Sequence, residues 1–225
     1  MQVVIVIAEG QTEEIFIKQV VAPALRPLQV FLKPLLMKTS QTAKGGAISY
    51  DRLQFHARNT LRQHPDAVLS TFIDLYGLNT SFPASDEARE KSNVYTRVAC
   101  LEEALHKAIV AHVGCRPEHF VPHIQPYEYE GLLFSNVEAL SEVEPNWAKS
   151  LNKLTKVRAS FATPEHINDS YESKPSKRLE DLLDPKYRKT SHGPRAAERI
   201  TLEVMERECL HFKAWLDKLR GLATS

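Results

Sequence analysis

The stretch Val3-Val4-Ile5-Val6-Ile7-Ala8-Glu9-Gly10-Gln11-Thr12-Glu13-Glu14 runs from five consecutive apolar residues straight into acid. A strand covered on one face alternates apolar and polar side chains, whereas one covered on both faces reads as an unbroken β-branched run. Val3 to Ile7 is of the second kind and predicts a central strand of a parallel sheet with helices on both sides. Such sheets bind ligands beyond the carboxyl ends of their strands, which is where Glu9 falls. Gly10 permits a tight turn there, and Thr12 is expected to cap a helix whose first turn carries Glu13 and Glu14, a position that suits acids near a helix dipole.

The pattern recurs along the chain. Ile15 to Leu25 has helical spacing closed off by Pro23 and Pro27, and Val30 to Leu36 reads as a strand that Pro34 confines to an edge or an end. Lys44-Gly45-Gly46 predicts a turn and Asp51 to Arg62 a helix. Ala67 to Ile73 is a second buried strand, and it ends at Asp74. A polar loop over Asn79 to Lys91 leads to a helix over Val98 to Val113. Phe120 to Gln125 then predicts a strand that runs into Pro126-Tyr127-Glu128-Tyr129-Glu130. Three strands thus end in carboxylates, and parallel strands put those ends on one edge. Clustered acids repel and take up protons unless a cation joins them. Hard Mg²⁺ or Mn²⁺, which accept oxygen ligands and keep positions open for water and phosphate, suit Glu9, Asp74 and Glu128 or Glu130 as candidate ligands.

Composition sets outer limits. With 225 residues, 43% hydrophobic, the chain is large enough for one substantial core. A net charge of +1 points to neither nucleic acid nor membrane, so local patches must carry that argument. Cys100, Cys115 and Cys209 lack CxxC spacing, and the N-terminal apolar run is too short to span a membrane; both imply a cytoplasmic protein without disulfides. His112, Cys115, His119 and His123 are close in sequence, but no paired zinc motif frames them and they fall on different predicted elements. There is no P-loop and no nucleophile elbow.

Glu9-Gly10-Gln11-Thr12-Glu13 after a buried strand, with Phe72-Ile73-Asp74 ending a later one, resembles the Toprim domain of topoisomerases, primases and overcoming-lysogenization-defect (OLD) nucleases, nearest to the nuclease branch. The chain also resembles an uncharacterised family of small prokaryotic Toprim-like proteins. That likeness runs through Ile73-Asp74-Leu75-Tyr76-Gly77-Leu78, Tyr127 to Ser135, Pro164 to Asp169, Pro175-Ser176-Lys177-Arg178 and Cys209 to Leu216. The resemblance implies an α/β Toprim-like core over 1–135 and a mostly helical C-terminal extension over 136–225. It also implies that Glu9 is the leading metal-binding acid, Asp74 the first acid of a D-x-D pair and Glu13 the extra glutamate of the nuclease branch. Tyr76 stands where the second acid of that pair is expected.

Glu9, Asp74, Lys177 and Arg178 are accordingly the candidate catalytic residues. Lys174, Lys177, Arg178, Lys186, Arg188 and Lys189 form a basic stretch suited to a nucleic-acid backbone. A helix over Pro194 to Leu219 carries Ile200, Val204, Phe212 and Leu216 on one face, which suits packing on the core or a homodimer contact equally. The expected function is a metal-dependent nuclease acting on DNA or RNA, working with an ATPase partner in phage defence. The alternative is a non-catalytic binding or regulatory subunit of the same fold.

Overall fold

A computed structural model of the protein describes residues 1–37, 48–168 and 170–224. The turn expected at Lys44-Gly45-Gly46 and the family-matching Asp169 lie outside these residues. Among the described residues the strands are β1 (Gln2–Ala8), β2 (Val30–Leu36), β3 (Val68–Asp74), β4 (Phe120–Val121) and β5 (Ile124–Gln125). They form one sheet in the order β2-β1-β3-β4, with β5 pairing further along β3. Every pairing is parallel, with Val4 opposite Val68 and Asp74 opposite Gln125. The expected mostly parallel α/β architecture is therefore what the chain adopts.

Alternate residues of β1 enter different cores, which is why its sequence is apolar throughout. Val4, Val6 and Ala8 face one cluster, shared with Phe72 of β3, and Ile5 and Ile7 face the other, shared with Leu69 and Ile73. β2 pairs only with β1 among the described strands, so Pro34, which has no N–H to donate, sits on an edge as its chemistry requires. The predicted strand over Phe120 to Gln125 breaks at Pro122 and His123. There the Thr71 hydroxyl replaces the ladder, donating to the His123 carbonyl and accepting from its N–H, both at 2.8 Å.

One face of the sheet is covered by α3 (Tyr50–Gln63) and α5 (Val94–Val113). The Asn93 side chain caps α5, and Gly114, at φ +72°, ends it in the left-handed conformation that glycine adopts without strain. The loop before it holds a short helix, α4 (Ser85–Arg89). The other face carries α1 (Gln11–Phe16), a π-helical turn over Ile17–Val21 and α2 (Ala22–Leu25). It also carries the C-terminal helices: α6 (Val137–Ser141), α7 (Leu151–Ala159), α8 (Pro175–Leu182), α9 (Lys189–Ile200), α10 (Leu202–Glu208) and α11 (Leu210–Gly221).

Three expectations are corrected here. Gly10, not Thr12, occupies the α1 N-cap, and Thr12 is buried in the first turn. Pro23 lies in the first turn of α2 and does not end the helical stretch. The single helix expected over Pro194 to Leu219 is three, broken at Thr201, where φ is +75°, and at Cys209; Pro194 lies inside α9. These helices pack firmly on the sheet. Phe212 and Trp215 pack with Phe16 and Phe72 in tilted and edge-on contacts at ring distances of 5.3–6.3 Å, and the Trp215 indole N–H donates to Ser70 Oγ at 2.9 Å. Burying aromatic surface of this size contributes on the order of 2 kcal/mol per side chain.

Candidate functional site

The carboxyl edge of the sheet gathers the acids that the strand ends deliver. Glu9 follows β1, and its Oε2 accepts the Asp74 N–H at 3.1 Å. Gly77 makes this possible, because a Cβ at that position would stand 2.3 Å from Glu9 Oε2. Asp74 ends β3, is 6% exposed, and accepts the Tyr129 N–H through Oδ1 at 2.8 Å. Glu13 reaches back from the first turn of α1 and is also buried. Burial raises the affinity of all three for protons. For Asp74 the charges of Glu9, Glu13 and Glu130 push further in the same direction.

Glu128 and Glu130 follow β5 and differ from this group. Glu128 accepts the Ser176 N–H in the first turn of α8 at 2.9 Å and pairs with Lys174 at 2.9 Å and Lys189 at 3.7 Å. Burial alone would raise its pKa, but Lys189, Lys174 and Ser176 outweigh it, so Glu128 stays an anion. Glu130 is fully buried, with Lys189 Nζ 3.2 Å from Oε2 and the Tyr187 hydroxyl 3.3 Å from Oε1. Burial carries its pKa up to about 7 despite that lysine. Lys189 keeps its charge: burial opposes it, and Glu130, Glu128 and Asp74 together hold its pKa above the usual lysine range.

The site thus joins Glu9, Glu13, Asp74, Glu128 and Glu130 with Lys174 and Lys189. The other expected basic residues stand apart. Lys177 pairs with Asp181 one turn along α8, and Arg178 donates to the Ser173 carbonyl and lies over the Phe161 ring. Lys186 and Arg188 are exposed. Sequence reasoning missed Tyr187 and Gly77, and it took Lys189 for one member of a basic run that would follow a nucleic-acid backbone. No three of these acids bring ligand atoms mutually within 4.8 Å. Among the described residues, the group of His, Cys, Asp or Glu with three ligand atoms mutually within 4.8 Å is Glu102, His123 and His211.

That second cluster could hold a metal by proximity, but its polar atoms already serve one another. Glu102 Oε1 accepts from the Ile124 N–H and partners His211 Nε2, both at 2.8 Å, and His123 Nε2 lies 3.2 Å from Gln125 Oε1. The two imidazoles stack with centroids 5.0 Å apart, and Trp215 stacks on His123 at 4.9 Å. Imidazole lone pairs lie in the ring plane, so this stack is first of all packing. His112, Cys115 and His119 do not join His123, in keeping with the sequence reading that these four need not converge.

Fold and site define an α/β protein with a carboxylate cluster on the carboxyl edge of a parallel sheet. More particularly, residues 8–220 match the model of a family described as a domain of unknown function, DUF4276, and the chain belongs to that family. No curated protein matches it. Among solved structures it is similar to the C-terminal region of the Xanthomonas campestris pv. campestris OLD protein. The TM-score is 0.48 and the identity 11%, over 98% of this chain and 93% of that one. No described helix is long and apolar enough to cross a membrane.

Proposed function

We propose that the protein is a metal-dependent nuclease that hydrolyses phosphodiester bonds in nucleic acid at this edge. The observation that carries the proposal is that Glu9, Glu13 and Asp74 are drawn together, buried or half-buried, with no ion-pair partner among the described residues, while their pKa values are raised. A divalent cation relieves that repulsion. The donor set fits Mg²⁺ or Mn²⁺: all oxygen, and spread so that one ion takes one or two carboxylates and fills its shell with water and phosphate. Bound there, the ion would activate water and stabilise the leaving oxygen. Glu9 and Asp74 are the leading ligands, with Glu13 next to them.

Around that centre the chain's own residues have separate tasks. Lys174 stands at the edge beside Glu128, and Lys177 and Arg178, apart from it on α8, would grip the phosphates of an approaching strand further out. The Lys177–Asp181 pair is a surface contact of the kind that contributes little, so it gives way readily to phosphate. Lys186 and Arg188 extend the same basic track. The resemblance to OLD nucleases adds an ATPase partner to the proposal.

The test is cleavage of single-stranded DNA, duplex DNA and RNA in Mn²⁺ by the wild type, Glu9→Gln and Asp74→Asn. Cleavage should fall by about two orders of magnitude in both variants; undiminished cleavage would sink the proposal. One observation favours a non-catalytic binding subunit instead, namely Tyr76 in place of a second acid. Glu9→Gln that binds nucleic acid as the wild type does, where the wild type itself never cleaves, would support that second reading.

A further inference from the structure

The five carboxylates fall into two sets. Glu9, Glu13 and Asp74 have no ammonium or guanidinium within ion-pair distance among the described residues. Glu128 and Glu130 share Lys189 Nζ, at 3.7 Å and 3.2 Å, and Glu128 pairs with Lys174 Nζ as well, at 2.9 Å. Lys189 opens α9, and its side chain is 42% exposed, so its ammonium meets two nearly inaccessible acids at the boundary between core and edge. Where two cations serve phosphodiester hydrolysis, they sit about 3.5–4 Å apart, each with its own carboxylates, and share the phosphate between them. Here one carboxylate set is unneutralised and the adjacent set already holds a positive charge that belongs to the chain.

We infer that the site is built for a single divalent ion, with the Lys189 ammonium fixed by Glu130 and Glu128 in the place of a second one. The inference rests on the metal reading above and gives Tyr76 a reason: with a lysine covalently supplying the second charge, the acid that would hold a second ion is not needed. A lysine cannot activate water as a dication does. It can neutralise a phosphate oxygen, and chelators cannot remove it. Tyr187 holds the other oxygen of Glu130, so this carboxylate is oriented toward Lys189 before any ligand arrives.

Counting Mn²⁺ ions bound per full chain, by calorimetric titration and by electron paramagnetic resonance, tests this without any activity. The wild type should bind one ion, lost in Asp74→Asn. Lys189→Gln, which keeps length and removes charge, should bind two, and Lys189→Gln combined with Glu130→Gln should return to one. Two ions in the wild type overturn the inference while leaving the metal site intact. One ion in both the wild type and a folded Lys189→Gln also overturns it. No ion in the wild type overturns the metal reading itself, and this inference with it. The wild-type count decides even if Lys189→Gln fails to fold, and Lys189→Arg, which keeps the charge, should bind one.

Discussion

Asp74→Asn should stabilise the protein without metal and destabilise it, relative to wild type, with metal. Asparagine keeps an oxygen for the Tyr129 N–H and removes the negative charge that faces Glu9, Glu13 and Glu130. Relief of strain at a functional site commonly yields about 0.5–2 kcal/mol, and a chain of this size gains about 2–4 °C in Tm per kcal/mol, so the variant should melt about 1–8 °C higher in chelator. In the wild type, Mn²⁺ at a hundredfold excess over its dissociation constant adds about 2.7 kcal/mol, or about 5–11 °C; the variant should gain little. The order of melting temperatures therefore inverts between chelator and Mn²⁺. Differential scanning calorimetry in both buffers reads it directly. A variant that melts below wild type in chelator and responds equally to Mn²⁺ would refute both the repulsion and the metal site.

Gly77→Ala places a Cβ 2.3 Å from Glu9 Oε2, so it should displace that carboxylate, cost about 1–3 kcal/mol and reduce the Mn²⁺ shift, as read in the same melts. Glu130 is raised from 4.5 to about 7 in the folded chain, so the folded state holds its proton longer than the unfolded one. Stability in chelator should fall as pH rises from about 4.5 to about 7, by at most about 3 kcal/mol, and Glu130→Gln should flatten that slope in urea titrations across the range. His211 is raised by the Glu102 carboxylate beside it, although burial pulls the other way. Its contribution is full below the unfolded histidine value of about 6.5 and fades as pH rises through the raised folded value, so His211→Gln should cost most in mild acid. Glu102→Ala removes the acceptor of the Ile124 N–H and the partner of His211; a loss of about 3–5 kcal/mol is expected, and a change under 1 would show the clamp to be unimportant.

What could be read from sequence depended on how local the cause was. β1 and β3 were legible because burial on both faces writes itself into every residue of a strand, and Pro34 marked its edge for the same backbone reason. The convergence of Glu9, Asp74 and Glu128 was legible because parallel strands share a carboxyl edge, whatever the path between them. The breaks at Thr201 and Cys209 carry no glycine or proline, so the C-terminal helices read as one. Lys189 could not be told from its basic neighbours, since what separates it is the direction in which α9 starts. Gly77 and Tyr187 act through contacts with residues distant in sequence, Glu9 and Glu130, and leave no periodic trace. The pairing of His123 with His211 is equally a product of how α11 returns to the sheet.

The proposed cation site rests most on a contrast among buried acids. Elsewhere this chain surrounds a buried carboxylate with several of its own donors. Glu165 accepts the His211 and Phe212 N–H groups at the start of α11, both at 3.0 Å, and the Tyr95 hydroxyl at 2.9 Å. Glu102 has the Ile124 N–H and His211; Glu128 has Ser176, Lys174 and Lys189. Glu9 and Asp74 each accept one backbone N–H and then face one another and Glu13, with Lys189 acting on them only from its post beside Glu130. Leaving buried charge uncompensated costs several kcal/mol. That difference between the two sets of acids is what the proposed divalent ion would relieve.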